Sequence, residues 1–294
     1  MQAPGAGEEG SGASRSWQLK HSRIALDTPL LMGILNVTPD SFSDGGRHLE
    51  LDAAVTRALE MVDEGAGMID VGGESTRPGA EPISEDEEIA RIIPVIRALK
   101  SATTVPISVD TRRAAVAREA IQAGADVVND VSALGDAEMA GVVAEAGVGL
   151  VLMHMRGTPQ TMQQNPTYSD VTGEVRDELG AALAAAHAAG IASERVVVDP
   201  GIGFAKNRDH NLRLLGQLSR LHELGRPLLL GVSRKAFLGS LLGGLEPDRR
   251  DVGTAAACVV GLLAGVRIFR VHDVNTVREA ITVAEAIRAA GVAA

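Results

Sequence analysis

Eight short apolar runs, each ending abruptly in a polar residue, constrain the fold of this chain more than any other feature. The polar residues at their ends are Asn36, Asp70, Asp110, Asn129, His154, Asp199, Ser233 and His272. They span 272 − 36 = 236 residues, so the seven intervals average about 34 residues, the size of one strand–helix unit of an eight-stranded barrel. Helical patterns fill the intervals, so we predict an α/β fold, a (β/α)8 TIM barrel. A doubly wound sheet of eight strands is the structural alternative.

The series of runs continues without a linker, which favours one domain over the two that 294 residues would also allow. We therefore predict a single barrel domain over residues 17–294. Residues 1–16 are rich in Gly, Ser, Ala and Glu without periodicity, a composition typical of a disordered tail. Residues 17–26 alternate roughly between apolar and polar, and we predict a hairpin there that closes the bottom of the barrel.

Charge and aromatic content exclude several classes of partner. Aromatic residues make up only 2% of the chain, too few for a surface on which nucleic-acid bases stack. The net charge of -10 disfavours binding to nucleic acid or to an anionic membrane surface, and no apolar run approaches the ~20 residues that span a bilayer. Small-molecule substrates remain, and an anionic one would need local cations that override the overall negative charge.

The chain has a single cysteine, Cys258, which lies inside an apolar helical pattern. A lone thiol in such a pattern is expected to pack in the core as a small hydrophobic group. No disulfide framework or cysteine zinc site is possible, and no signal-peptide pattern begins the chain. We therefore expect a reducing, cytoplasmic location.

The loops after the first and second strands have the residues of a phosphate site. The first, NVTPDSFSDGG (residues 36–46), begins at Asn36, whose amide oxygen is a hard ligand suited to Mg²⁺, and Asp44 could stabilise a cation or close the loop by an ion pair. The second, DVGGESTRPG (residues 70–79), combines Gly, Ser and Thr with Arg77 and resembles an anion-binding loop. Simpler interpretations stay open: Asn36 caps a turn, and the second loop is an ordinary surface loop.

Acidic and amide side chains end the third, fourth and sixth strands, at Asp110, at Asn129 with Asp130, and at Asp199. At the ends of apolar strands they should be partly desolvated, and they could bind a guanidine-like or aminopyrimidine edge, where donors and acceptors alternate. A cluster for a hard metal ion is the rival interpretation. At Asp130 and Asp136 the simplest alternative is a helix N-cap.

Cations end the seventh and eighth strands. Lys235, which follows Ser233 by two residues, could form a Schiff base or act as a fixed charge that clamps a ligand. Arg270 and His272 are also two residues apart, so both face the same side of the strand, beside the position where barrels often bind phosphate. Solvated strand ends are the alternative for this pair. His154 fits a buried structural histidine as well as it fits a ligand contact.

Five motifs together resemble one family, the dihydropteroate synthases among the pterin-binding barrels. They are MGILNVTPDSFSDGG (32–46), DVGGESTRPG (70–79), DPGIGFAK (199–206), SRKAFLG (233–239) and RVHD (270–273). The resemblance covers the chain from about Leu30 to its C-terminus. It implies a transferase of folate biosynthesis that condenses (7,8-dihydropterin-6-yl)methyl diphosphate with 4-aminobenzoate, giving dihydropteroate and diphosphate.

The resemblance also implies a role for each matching residue. Asn36 would help to hold Mg²⁺ on the diphosphate. Asp44 and Arg77 would close over the reacting centre and, with Lys235, form the catalytic set. The residues expected to bind the substrates are Thr76, Arg270 and His272 for the diphosphate, Asp110, Asn129, Asp199 and Lys235 for the pterin, and Ser233, Pro78, Phe42 and Phe204 for the aminobenzoate.

The resemblance to this family implies two further properties. Sulfonamides would compete with 4-aminobenzoate, and the chain would form a homodimer, for which the apolar helix after Thr254 is the candidate contact. Two alternatives to the synthase stay open. A pterin-dependent methyltransferase barrel would bind a pterin through similar Asp and Asn strand ends without a diphosphate site, and an inactive paralogue would bind pterins without catalysis.

Overall fold

The computed structural model describes residues 16–37, 46–75 and 79–292, and it consists of a barrel of eight parallel strands with helices around it. The strands are β1 (Ser16–Gln18), β2 (Arg23–Ala25), β3 (Leu30–Asn36), β4 (Met68–Gly72), β5 (Ile107–Asp110), β6 (Val127–Asp130), β7 (Gly149–Met153), β8 (Val196–Asp199), β9 (Leu229–Leu230) and β10 (Ile268–Val271). The α-helices are α1 (Gly46–Asp63), α2 (Glu85–Ala102), α3 (Ala114–Ala123), α4 (Met139–Ala146), α5 (Val171–Ala188), α6 (Arg208–Gly216), α7 (Ala236–Leu241), α8 (Asp251–Leu263) and α9 (Val274–Val292). The predicted (β/α)8 barrel is confirmed. Of the predicted disordered tail, residues 1–15 lie outside the described residues, and Ser16 begins β1.

The eight barrel strands are hydrogen-bonded in the order β8-β7-β6-β5-β4-β3-β10-β9. A parallel bridge between Val198 in β8 and Leu228, next to β9, joins the two ends of this sheet. The closed ring leaves no free edge, and the carboxyl ends of all eight strands meet at one mouth. The polar residues that end the strands are thereby brought to the same face of the molecule.

The β1–β2 hairpin closes the opposite end of the barrel, as predicted. Trp17 is fully buried there and packs in one cluster with interior residues of the barrel such as Met32, Met68 and Val197. Its indole Nε1 donates a hydrogen bond to the carbonyl oxygen of Arg195 at 2.8 Å, which satisfies the one polar group of the ring.

A second and larger apolar layer lies between the outer side of the strands and the helices. Strands β4 and β7 are buried along their whole length because the barrel interior covers one face and helices cover the other. Parallel strands that are covered on both faces have continuous apolar sequences. This is why the strands of this chain appear in the sequence as apolar runs and not as alternating apolar and polar residues. Cys258 is part of this layer and is fully buried, as expected. Within the described residues, no helix is long and apolar enough to cross a membrane.

Two helix signals differ from the sequence expectation. The sequence pattern of residues 207–224 predicts one helix, but α6 ends at Gly216 and a separate 3-10 helix, Leu218–Leu224, follows. Glycine has low helix propensity at the point of the break. Asp136 was expected to cap the helix that follows it. Its Oδ1 accepts from the backbone N–H of Glu138 at 3.0 Å, in the turn before α4, and its Oδ2 accepts from the backbone N–H of Ala114 at 2.8 Å. Asp136 therefore also caps α3, whose first residue lies 22 positions earlier.

Residues 255–264 are apolar almost all round, which predicts a well-buried helix, but α8 is buried on one side only. Thr254 and Cys258 are buried against the barrel, whereas Val252 and Leu263 are 79% and 64% exposed. The sequence of α8 is apolar nearly all round, but the barrel and α9 cover only part of its surface. The remaining side leaves an exposed apolar surface of the kind that often marks a protein contact.

Candidate active site

A cavity of about 310 Å³, which includes space open to solvent, lies at the mouth of the barrel. The residues that line it are Asp110, Asn129, Val131, Met153, Asp199, Gly201, Phe204, Gly231, Lys235 and Arg270. Six of these were predicted as site residues from the sequence. Because they come from β5, β6, β8 and β10 and from the segments after β8 and β9, only the closed barrel brings them together.

Arg270 is the centre of the polar contacts. Its Nε donates to Oδ2 of Asp70 at 2.6 Å, and its Nη2 donates to Oδ2 of Asp110 at 2.6 Å. The amide Nδ2 of Asn129 donates to the same oxygen of Asp70 at 3.0 Å. The sequence predicts Asp70 at the end of the second strand and gives it no role, whereas the structure places it in the middle of β4. The available signal was a carboxylate among otherwise apolar residues.

Asp110 has one oxygen without a partner. Its Oδ1 is buried, like Oδ1 of Asp70, and accepts no hydrogen bond from the described residues. Burial raises the pKa of Asp110 to about 7; the Arg270 guanidinium opposes the rise and the Asp70 carboxylate adds to it. Buried polar atoms in native proteins are rarely left unpaired, so this oxygen at the cavity wall is suited to accept a hydrogen bond from a ligand.

Asp199 and Lys235 also line the cavity. Oδ1 of Asp199 accepts from the backbone N–H of Gly201 at 2.7 Å, and burial raises the pKa of Asp199 to about 6. The ammonium Nζ of Lys235 lies 3.8 Å from the centroid of the Phe204 ring, a cation–π contact. Burial, helped by Arg270, lowers the pKa of Lys235 to about 8, so the side chain is still mostly charged at neutral pH.

The cavity therefore combines alternating donors and acceptors with apolar walls. Carboxylates accept, and the amide of Asn129 and the ammonium of Lys235 donate, while Val131, Met153 and Phe204 supply flat apolar surface. A planar heterocycle with several N–H groups and ring nitrogens satisfies such a set. Within residues 16–37, 46–75 and 79–292, no group of three His, Cys, Asp or Glu side chains is arranged to hold a metal ion.

Ser233 and His272 contact each other at the carboxyl ends of β9 and β10. Oγ of Ser233 accepts from the backbone N–H of His272 at 3.2 Å and lies 2.9 Å from Nδ1 of its ring. The guanidinium of Arg270, two residues before, is directed to the carboxylates instead. The two predicted phosphate-binding side chains of β10 therefore have different partners in this structure.

The predicted residues on the first two loops are covered only in part. Asn36 ends β3 and is half-buried, and its Oδ1 lies on the same side of Gly72 as the Asp110 side chain. Phe42, Asp44, Thr76, Arg77 and Pro78 lie outside the described residues. The second loop is anchored where it is described: Arg113 donates to the Glu74 carboxylate at 2.8 Å.

His154, for which the sequence left two interpretations open, belongs to a buried network behind the cavity wall and does not line the cavity. Its Nδ1 lies 2.9 Å from Nζ of Lys206, and its Nε2 lies 3.0 Å from the Glu178 carboxylate. Lys206 was not predicted as a functional residue. Its burial follows from the path of the loop after β8, which spacing in the sequence does not indicate.

Gly201 is required by its close approach to another backbone segment. It has φ +66°, and a Cβ on it would lie 1.9 Å from the carbonyl oxygen of His154. Gly190 has a similar backbone conformation, φ +91°, but a Cβ there would meet nothing within 4 Å. Substitution of Gly190 would therefore introduce backbone strain alone, whereas substitution of Gly201 would introduce both backbone strain and a steric clash.

We predict that Gly190→Ala lowers the free energy of unfolding by about 1 kcal/mol, the cost of a left-handed alanine. Gly201→Ala should lower it by more than about 3 kcal/mol, because the loop after β8 must also move. Urea unfolding of both variants measures the difference. Equal losses would contradict the close approach.

Comparisons with known proteins agree with this arrangement. The profile of the pterin binding enzyme family matches residues 32–272. The chain is 49% identical over 258 residues to a dihydropteroate synthase of Synechocystis, covering 87% of this chain and 89% of that one. It is 47% identical over 263 residues to the dihydropteroate synthase of Escherichia coli K12, covering 90% and 93% of the two chains.

Solved structures give the same result. A Xanthomonas albilineans dihydropteroate synthase with 4-aminobenzoic acid superposes with a TM-score of 0.89 at 44% identity, covering 94% of this chain and 99% of that chain. The same enzyme in complex with 7,8-dihydropteroate superposes with a TM-score of 0.85 at 42% identity, covering 93% and 99%. With the family profile across most of its length and relatives near half identity over nearly all of it, the chain belongs to the pterin binding enzyme family and, within it, to the dihydropteroate synthases.

Proposed function

We propose that the chain condenses (7,8-dihydropterin-6-yl)methyl diphosphate with 4-aminobenzoate, giving 7,8-dihydropteroate and diphosphate for folate synthesis. The observation that carries the proposal is the cavity set of Asp110, Asn129, Asp199 and Lys235, with one buried carboxylate oxygen free to accept a hydrogen bond. The aminopyrimidine edge of a pterin offers N–H donors to the carboxylates and acceptors to the amide and ammonium. Arg270 adds positive charge at the same cavity.

The proposed chemistry is departure of diphosphate followed by attack of the arylamine. Breaking the C–O bond releases diphosphate and leaves a methylene cation that the electron-rich pterin ring stabilises. The neutral amine of 4-aminobenzoate then forms the C–N bond and loses a proton. The enzyme's contribution is charge stabilisation and orientation, so no covalent nucleophile is required. A charged Lys235, rather than a Schiff-base lysine, fits this scheme.

The diphosphate is assigned to Thr76, Arg270 and His272, with Asp44 and Arg77 closing over the reacting centre. The aminobenzoate is assigned to Ser233, Phe204, Pro78 and Phe42. Phe204 supports its assignment because its ring is a wall of the cavity beside Lys235. Arg270 supports the diphosphate assignment only through its charge, because both of its described hydrogen bonds go to carboxylates. The other assignments rest on matching motif residues.

Mg²⁺ is the proposed cofactor, and Asn36 is the residue that would hold it. A half-buried amide oxygen at the mouth suits a hard ion that keeps water and phosphate oxygens as its remaining ligands. When bound, the ion would neutralise charge on the diphosphate and make it a better leaving group. Through its contact with the ion, Asn36 would help to orient the leaving group.

A pterin-dependent methyltransferase is the second candidate. It would use the same carboxylate and amide strand ends, but it would not need a diphosphate site. The complete NVTPDSFSDGG and DVGGESTRPG motifs favour the synthase. The same motifs, with Lys235 present, disfavour an inactive paralogue.

The assembly is proposed to be a homodimer of single-domain chains, in the cytoplasm. The exposed apolar side of α8, with Val252, Val260 and Leu263, supports a contact between two copies. This surface lies on the outside of the barrel, so the contact would leave the mouth open to substrates.

The proposed function predicts diphosphate release when purified protein receives the pterin diphosphate, 4-aminobenzoate and Mg²⁺. Release should require all three, and 7,8-dihydropteroate should form in equal amount. Coupled detection of diphosphate and chromatography of the pterin product measure both. Absence of diphosphate release from folded protein would refute the synthase.

We predict that Lys235→Ala weakens binding of the pterin substrate by about 100-fold, because a charge-assisted contact in a buried site is lost. Calorimetric titration measures the dissociation constant. Lys100→Ala is the control, since Lys100 is exposed and pairs with Asp126 on the surface. Near-normal affinity of Lys235→Ala would remove this lysine from the site.

A sulfonamide should compete with 4-aminobenzoate, raising its KM without changing kcat, because both are para-substituted anilines and would occupy the Phe204 side of the cavity. Initial rates at several concentrations of both compounds measure the pattern. Noncompetitive inhibition would contradict the assignment of the aminobenzoate pocket.

A further inference from the structure

Lys206 is a buried cation that the proposed reaction does not use. Only 2% of its surface is exposed. Its Nζ lies 2.9 Å from Nδ1 of His154, 3.0 Å from the carbonyl oxygen of Gly201 and 3.0 Å from the carbonyl oxygen of Phe204. An ammonium group has three N–H donors, so each has one acceptor.

The imidazole of His154 is suited to be one of these acceptors. Burial and the charge of Lys206 lower the pKa of His154 to about 3, so the ring is neutral at physiological pH. Its Nε2–H then donates to Glu178, which leaves Nδ1 as the acceptor for Lys206. Burial lowers the pKa of Lys206 to about 7, while the charges of Asp199 and Glu178 oppose the shift.

The segment that Lys206 bonds has an unusual backbone. Gly201, Gly203 and Ala205 all have positive φ, at +66°, +85° and +49°. Left-handed conformations are unfavourable for alanine and persist only where surrounding contacts hold them. Lys206 contacts two carbonyls of this segment, three residues apart, and so spans its bend.

The same segment forms the cavity wall. Gly201 and Phe204 line the cavity, and the Phe204 ring packs on Lys235. Gly203 lies so close to Lys235 that a Cβ on it would be 2.9 Å from the lysine Cδ. Lys206 therefore reaches the cavity through one residue: it bonds the carbonyl oxygen of Phe204, and the Phe204 ring lines the cavity.

We propose that Lys206 is a positioning residue: its ammonium holds residues 201–205 in their left-handed course, so that Phe204 forms the wall of the aminobenzoate pocket and supports Lys235. The proposal rests on the proposed function for the identity of that pocket, but not for the contacts themselves. A buried lysine could support this segment by donating hydrogen bonds or only by filling space, and the proposal assigns Lys206 the first role.

The test compares Lys206→Met, Lys206→Gln and the surface control Lys100→Met. Methionine fills the buried space but donates nothing, whereas glutamine keeps two N–H donors. In Lys206→Met, KM for 4-aminobenzoate should rise about tenfold with kcat within about threefold of wild type, the loss expected for contacts that orient rather than react. Lys206→Gln should lie between Lys206→Met and wild type.

Amide hydrogen exchange of residues 201–205 gives a second readout that needs no activity. Exchange should be faster in Lys206→Met than in Lys206→Gln, and unchanged in Lys100→Met. Wild-type KM and exchange in Lys206→Met, or a smaller effect for Met than for Gln, would overturn the proposal. If Lys206→Met does not fold, wild-type KM and exchange in Lys206→Gln overturn it. An inactive wild type would refute the proposed function, while the exchange comparison would still decide the role of Lys206.

Discussion

The ion pairs of Arg270 with Asp70 and Asp110 are the contacts on which the centre of this barrel depends. Two carboxylates on adjacent strands, both withdrawn from water, would repel each other and lose hydration at a cost of several kcal/mol each. The Arg270 guanidinium bonds to both at 2.6 Å. Burial disfavours its own charge, but the two carboxylates raise the pKa of Arg270 above its ordinary value. One cation thus keeps two acids in place, and each retains one buried oxygen that has no hydrogen-bond partner among the described residues.

This arrangement explains how a chain of net charge -10 can present a site for an anionic substrate. Arg270 and Lys235 are concentrated at one mouth, where low solvent exposure strengthens their fields. The acids that surround them are partly neutralised by burial, which raises the pKa of both Asp110 and Asp199. The net charge of the chain therefore limits nonspecific binding, while the charge at the mouth depends on these few buried side chains.

Several sequence expectations hold because they rest on strand ends. In a closed parallel barrel every strand end reaches the same mouth, so Asp110, Asn129, Lys235 and Arg270 were found without knowing any distance. Expectations based on helix faces were weaker. The sequence of α8 is apolar nearly all round, and only the packing of its neighbours shows that Val252 and Leu263 are exposed. Asp136 caps a helix that precedes it, which no local signal predicts.

The sequence by itself determined the architecture and most of the cavity residues, because strand spacing and strand-end chemistry are properties of consecutive residues. Only the tertiary structure decided which partners these residues have. It directs Arg270 to Asp70 and Asp110 rather than alongside His272, and it places Lys206 behind Phe204 with His154 as its neighbour. These contacts join residues that lie between 2 and 200 positions apart, and they depend on the curvature of the barrel and the left-handed course of one loop. Neither of these is encoded in local periodicity.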